Sequence, residues 1–438
     1  MGSNRSGSSI SQSWRPEIKM SSEKSQESSS TLSLFSYPDF RTLWLSGLFV
    51  NLAAAAFPVA LAIAVLDAGG KAGTLGLILA ARLASSVSFS LLAGVLTDRL
   101  SRKKVMFWAD FLRGVLSLVI VFSTNAPLWF FGVILFIMGA GEAFIFPASG
   151  AILPSILPED KLPMGNAFRS ISIRLTAIVG PGVGGALIAL AGSKVTFLVI
   201  GLLYFVGSIL ILPIKENREG ETPHNSGSMI HEIREGIRLV KSIPWIAACL
   251  LGVSVPLMLI VGIESVFLPI ISRREFGSDR VFALSLIAFA IGATITALIG
   301  SKFKTNRPGL VSNLSWMFFI AIPISMAFPF APWFVILCYF IAGAATEPYG
   351  IHWPSAIQRE VPREFQGRVF SLDYLVSLGL IPIGMAMAAP VASTFGETEY
   401  FLFAAVIHLI CIVITLSIPG VWELKNPVKS SQSEQDLP

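Results

Sequence analysis

The chain has 438 residues, of which 53% are hydrophobic and only 13% charged. Soluble domains carry about a quarter charged residues, so an ordinary soluble protein is excluded. The net charge of +5 comes without basic residues interleaved with aromatics on a polar domain, which argues against nucleic acid as a partner and for the lipid bilayer.

Residues 1–37 are rich in Ser, Gln, Glu and Lys and lack the apolar stretch of a signal peptide, so they predict a disordered tail, with Met20 as an alternative start. Apolar runs then follow at 42–66, 73–96, 104–123, 128–150, 164–190 and 194–213, and again at 245–271, 280–301, 309–328, 332–356, 368–391 and 396–419. Each is near the roughly 20 residues that a helix needs to cross a hydrocarbon core. The runs are continuously apolar, which argues against a transmembrane barrel, whose strands alternate. They predict an all-α integral membrane protein of twelve transmembrane helices in two six-helix bundles, 38–213 and 245–420. Between the bundles lies a linker, 214–244, polar at first and then patterned from Met229 to Lys241 as an amphipathic helix suited to a membrane surface. Residues 421–438 read as a second tail.

Basic residues alternate between loops. One set of loops holds Arg99, Arg102, Lys103 and Lys104, then Lys161, the linker cations, Lys302, Lys304 and Arg307, and Arg359, Arg363 and Arg368; the other holds only Lys71, Lys194, Arg273, Arg274 and Arg280. Positive loops stay inside, so both termini are expected on the cytoplasmic side. Cys249, Cys338 and Cys411 all fall in apolar runs, predicting buried, unreactive thiols rather than disulfides or a metal site.

The two halves are similar to each other. At an offset of about 204 residues, Gly139 falls on Gly343, Pro158 on Pro362, Asp160 on Glu364, Gly180 on Gly384 and Gly192 on Gly396. Transporters are often built from such repeats, with the pathway at their interface.

Between the second and third runs stands GVLTDRLSRKK, Gly94 to Lys104. Asp98 there is placed to face the N-terminal end of a neighbouring helix, where exposed N–H groups favour negative charge. Arg99, Arg102 and Lys103 can pair with it or with anionic headgroups. Together with the two sets of six helices, this loop resembles the signature G-x-x-x-D-R-x-G-R-[KR] of the major facilitator superfamily, matched at Gly94, Asp98, Arg99, Arg102 and Lys103, with Ser101 in place of the second glycine. The resemblance implies a cytoplasmic gate that latches the two halves when the protein opens outward. Topology alone is the plainer reading of the same charges. The corresponding loop of the second half, GSKFKTNRPG, keeps Gly300 but puts Lys304 near the acid's place.

GPGVGG, with Gly180, Pro181, Gly184 and Gly185, resembles the end of the antiporter motif of drug exporters, although Thr176 stands where an upstream glycine would be. The segment suits a helix that packs closely and bends, or simply close packing. EGIRLVKSIPW and QREVPREFQGRVFS look like the bacterial exporter branch that holds the enterobactin exporter and the macrolide efflux proteins.

Ionisable groups in spanning helices cost at least about 2.5–3.5 kcal/mol, so each needs a partner or a role. Asp110 and Arg113 share a helix face, Glu142 lies at a comparable depth, and Arg82 has no partner in its own helix. Glu347 sits within one position of the repeat-equivalent of Glu142, and Glu264 and Asp373 are further acids. Glu142 and Glu347 are the first proton-carrier candidates, then Asp110 and Glu264, with Arg113 and Arg82 as ion-pair candidates; a permanent ion pair is the alternative for each acid. His352 and His408 read as hydrogen-bonded packing residues. With no Walker pattern and no nucleophile or metal-ligand set, the chain is expected not to be an enzyme. The expectation is a monomeric exporter of a drug-like or siderophore-like molecule in the bacterial cytoplasmic membrane, driven by a proton gradient without a cofactor. Uptake of a metabolite and a non-transporting receptor are the alternatives.

Overall fold

The computed structural model describes residues 31–123, 126–216, 229–300 and 305–425. The first half comprises α1 (Pro38–Asp67), α2 (Ala72–Arg99), α3 (Arg102–Phe122), α4 (Leu128–Ala151) and α5 (Leu162–Ile211). After the short α6 (Met229–Ser242) come α7 (Pro244–Phe276), α8 (Arg280–Gly300), α9 (Pro308–Trp316), α10 (Ala321–Ala327), α11 (Pro332–Glu360), α12 (Arg363–Gly379), α13 (Ile381–Phe395) and α14 (Glu397–Ser417). Among the described residues, 11 helical stretches are long and apolar enough to cross a membrane. One of them holds two of the predicted spans, because α5 runs through Gly192, whose φ of 77° is left-handed and turns the chain back. Only glycine adopts that conformation without a steric cost. Two other spans are composite: α9 continues through a 3₁₀ turn, Met317–Ile320, into α10, and α12 breaks at Leu380 before α13. His408 of α14 braces the first break, its Nε2 lying 2.9 Å from the Trp316 carbonyl oxygen. His352 similarly meets Ser312, Nδ1 to Oγ, at 3.0 Å, so both histidines are hydrogen-bonded packing residues.

Polarity runs opposite to that of a soluble protein. Leu190 is 87% and Phe122 85% exposed, whereas Asp110 and Arg113 are 1% and 2% exposed. Contiguous exposed apolar surface of this kind is suited to lipid. Cys249 and Cys338 are buried as expected, but Cys411 is only half-buried.

The repeat is a packing repeat. A Cβ on Gly139 would lie 2.0 Å from the Arg82 carbonyl oxygen, and one on Gly343 would lie 2.0 Å from that of Phe289. Gly180 abuts Ala55 of α1, and its counterpart Gly384 abuts Met258 of α7. Gly396, at φ 98°, turns the chain between α13 and α14 as Gly192 does within α5. The same backbone approaches therefore recur in both halves.

Both predicted tails are shorter than composition suggests. Thr31–Ser36 form a 3₁₀ helix, with Leu34 fully buried and the Phe35 ring edge-on to Trp44 and Phe168. At the other end Val421 and Leu424 are buried, and the Trp422 carbonyl accepts from the N–H groups of Gly309 and Leu310 at 2.9 and 3.2 Å. The rest of both tails, linker residues 217–228 and Lys304 lie outside the described residues.

The helix ends define two faces, one at Pro38 and one at Gly192. On the Gly192 side the halves close on each other. Gly76 of α2 lies against the Met385 backbone of α13, and Gly185 of α5 against Ala283 of α8. Arg273 joins the halves at this face, donating to Asp67 at 2.7 Å and to Asp279 at 2.6 Å.

Candidate functional site: an ionic cluster beside a cavity between the bundles

Four helices of the first half bring five polar side chains together. Asp110 and Arg113, three residues apart on α3, pair directly, the guanidinium Nη1 donating to Oδ1 at 3.1 Å. Nη2 of Arg113 donates to Glu142 Oε1 on α4 at 3.0 Å and to the Tyr204 hydroxyl on α5 at 2.7 Å. Its Cζ lies 4.3 Å from the Tyr204 ring centroid, a cation–π contact that adds electrostatic attraction to the cation. From α2, Arg82 donates through Nε to Glu142 Oε2 at 3.1 Å and through Nη2 to Oε1. Gly139, one turn before Glu142, lets α4 touch the backbone of Arg82 itself, so the close approach and the bidentate pair belong to one contact.

The grouping of Asp110, Arg113 and Glu142 follows the sequence expectation. Arg82, partnerless in its own helix, finds its partner across the bundle. Glu142 and Glu347, the first proton-carrier candidates, are each held by arginine: Glu142 by two, and Glu347 by Arg174 of α5, at 3.1 and 3.2 Å. The Arg174 pair crosses between the halves and was missed in the sequence, although a cation interrupting an apolar run was the available signal. Asp373 accepts from the Trp353 indole at 3.0 Å and from Ser377 at 2.9 Å.

Glu264 of α7 differs from all of these. Among the described residues its carboxyl group has no ion pair and no hydrogen bond. It lines a cavity of about 310 Å³ between the halves, with Arg82 and Glu142 on the facing wall. Leu79, Leu83, Phe282, Leu286 and Met385 make the remaining walls largely apolar. Such a cavity suits a lipophilic molecule bearing few polar groups.

The GPGVGG segment packs as expected. Gly180 and Gly184 let α5 approach α1 at Ala55 and Ala56, while Gly185 faces Ala283 across the interface. The bend lies elsewhere: Pro181 keeps helical geometry, and the non-helical φ/ψ inside α5 is at Gly192. The antiporter-like segment is therefore a packing surface in this conformation.

In the charged loop, the surroundings of Gly94 and the side chains of Asp98 and Arg99 lie outside the described residues. Arg102 donates to the Ala151 carbonyl at 3.0 Å, and Lys103 Nζ to those of Leu212 and Ile214 at 3.2 and 2.7 Å. Two of the acceptors belong to the first half and Ile214 stands at the start of the linker; none lies in the second half. Glu216, which the sequence places in a linker, closes the N-terminal end of α3, accepting from the Arg102 N–H at 3.1 Å and the Ser101 hydroxyl at 2.8 Å. Ser101 is the N-cap of α3, which accounts for a hydroxyl where the signature has glycine. A carboxylate at a helix N-terminus is worth about 0.3–2 kcal/mol. Glu216→Gln is accordingly expected to lower stability by about 1 kcal/mol, measured as a lower melting midpoint in detergent.

Known proteins supply the wider setting. Macrolide efflux protein A of Streptococcus pyogenes is 26% identical over 383 residues, 86% of this chain and 94% of that protein. The putative bacilysin exporter BacE of Bacillus subtilis is 26% identical over 314 residues, covering 68% of this chain and 76% of the exporter. Among solved structures, a peptide transporter, POT, in complex with alafosfalin superimposes with a TM-score of 0.69 at 16% identity, over 89% of this chain and 96% of that one. The nucleoside transporter NupG does so with a TM-score of 0.65 at 12% identity, over 86% and 98%. These structural likenesses are of fold alone. The sequence model of the Major Facilitator Superfamily matches residues 43–381, and with its apolar helices in two repeated halves the chain belongs to that superfamily of multi-pass membrane transporters.

Proposed function

We propose that the protein is a proton antiporter that exports a drug-like molecule by alternating access. The observation that carries this reading is Glu264, an acid on the wall of the cavity between the halves that has no ion pair among the described residues. Arg82 and Arg113 already balance Asp110 and Glu142, so an ionised Glu264 adds one uncompensated negative charge in a low-dielectric site. A proton or a cationic substrate removes it, and two ligands that discharge the same carboxylate exclude each other. That exclusion is the basis of exchange.

Alternate basic loops set the Pro38 face, with both termini, at the cytoplasm. The closed Gly192 face is then the outer one, and the cavity belongs to the state that loads from inside. The efflux names of the bacterial relatives support export and the bacterial cytoplasmic membrane. The transporter works as a monomer, without a cofactor, on the proton gradient.

The test uses inside-out vesicles energised to an acid interior, with an internal pH dye reporting as erythromycin or a catechol siderophore is added. Erythromycin is expected to release protons from the vesicles, and Glu264→Gln to reduce that release at least tenfold. Release with the siderophore alone would move the substrate class. Uptake of erythromycin without proton movement would remove proton coupling, and no uptake of either compound would remove export of these classes.

A further inference from the structure

A second cavity, of about 100 Å³, lies wholly within the first half, between α1, α3, α4 and α5. It extends from Phe40 and Leu153, at the helix ends of the Pro38 face, to Asp110, roughly 12 Å along α3 from its start. Its lining includes Asn51 and Arg169, the latter donating to Ser149 at 2.7 Å. A water needs about 10–15 Å³ of such space and two to four polar partners, so this volume holds several. Glu142 and Arg82 line the other cavity, between the halves. Arg113, 3% exposed at its side chain, separates the two and holds an acid from each: Asp110 at 3.1 Å and Glu142 at 3.0 Å.

We infer that Asp110 is a second seat for the exchanged proton, filled and emptied through this side cavity rather than through the one between the halves. The groups facing Asp110 are Arg113 on its own helix, Glu142 from α4, and Arg169 and Tyr204 from α5. A hydronium ion in the side cavity gives its proton to the Asp110 carboxylate and leaves as water; the reverse step empties the site. Once Asp110 is neutral, Arg113 serves Glu142 alone, and Arg82 is released to meet the Glu264 carboxylate across the cavity. The two arginines and three acids need one proton for neutrality, and it can rest at either end of the cluster. Substrate in the cavity between the halves then does not obstruct the proton's route to the cytoplasm.

The inference rests on the proton-coupled reading above, and the test separates the two. A Cβ on Gly47, which lines the side cavity, would meet only Asn51 Nδ2, at 3.9 Å, so Gly47→Cys fits. Labelling the introduced thiol in inside-out vesicles with benzyl methanethiosulfonate plugs the side cavity; the unsubstituted protein treated alike controls for native thiols. The expected result is proton release on erythromycin addition at least tenfold lower after labelling, with erythromycin affinity changed less than twofold. Undiminished release after complete labelling overturns the inference while the antiport reading stands. Loss of erythromycin binding with release also overturns it, since the cavities would not be separate, as does failure of the Gly47→Cys variant to take up the label, since the cavity would not reach solution. Absence of release from the untreated protein overturns both readings.

Discussion

Glu142→Gln is expected to destabilise the solubilised protein by about 3–5 kcal/mol, the range for removing one partner of a buried ionic group. Two guanidiniums from α2 and α3 converge on this one carboxylate. A glutamine leaves Arg113 with Asp110 and takes from Arg82 its carboxylate partner, supplying one amide oxygen where a charge was shared. The discriminating measurement is a double-mutant cycle on melting in detergent. Arg82→Gln combined with Glu142→Gln should cost less than the sum of the single changes by about 0.5–3 kcal/mol, since residues in one ionic network couple by that much. If Glu142 instead served as the titrating carrier, glutamine would mimic its protonated form and leave stability nearly unchanged. Equal, additive single effects would show that the clamp has no structural role.

Gly139→Val is expected to have a comparable effect by a different route. Its first added carbon alone would sit 2.0 Å from the Arg82 carbonyl oxygen, on backbone rather than on a flexible side chain. The helices α2 and α4 must separate, which carries the overpacking cost of about 1–3 kcal/mol and also pulls Arg82 off Glu142. The same substitution at Gly343 meets the Phe289 carbonyl at the same distance, but Glu347 is held by Arg174 of the other half rather than by a neighbour on α8. Gly343→Val should therefore lower stability by the packing cost alone, and Gly139→Val by that cost plus part of the ionic one. Melting midpoints of the two variants, taken with Glu142→Gln in the background, test this: the difference between them should disappear once the acid is removed.

The spans and the repeat are legible in the sequence because burial in lipid demands long apolar runs and because glycine marks a backbone approach that no other residue allows. Asp110, Arg113 and Glu142 are legible as a cluster since helical rise fixes their depth. The partners Arg82 and Arg174 are not, because each meets its acid across a helix interface 60 or 173 residues away, and depth alone does not fix which faces meet. Glu216 is hidden by its setting, as polar composition around it reads as a linker. Thr31–Ser36 are hidden too, since six residues with three apolar side chains carry no periodic signal. Glu142 and Glu264 look alike in sequence, both single acids in apolar helices; only the two arginines paired with one, and the lack of an ion pair at the other among the described residues, separate them.

The balance of two arginines against Asp110 and Glu142 has an electrical consequence. Each charge moved through the full membrane potential involves about 2.3 kcal/mol per 100 mV. A cluster of zero net charge does no such work when its charges move together through the same part of the potential, however many charged groups it contains. Voltage then acts on transport through the proton or substrate charge held at Glu264 or Asp110, so the number of charges crossing per cycle is set by the exchanged ions and not by the protein that moves them.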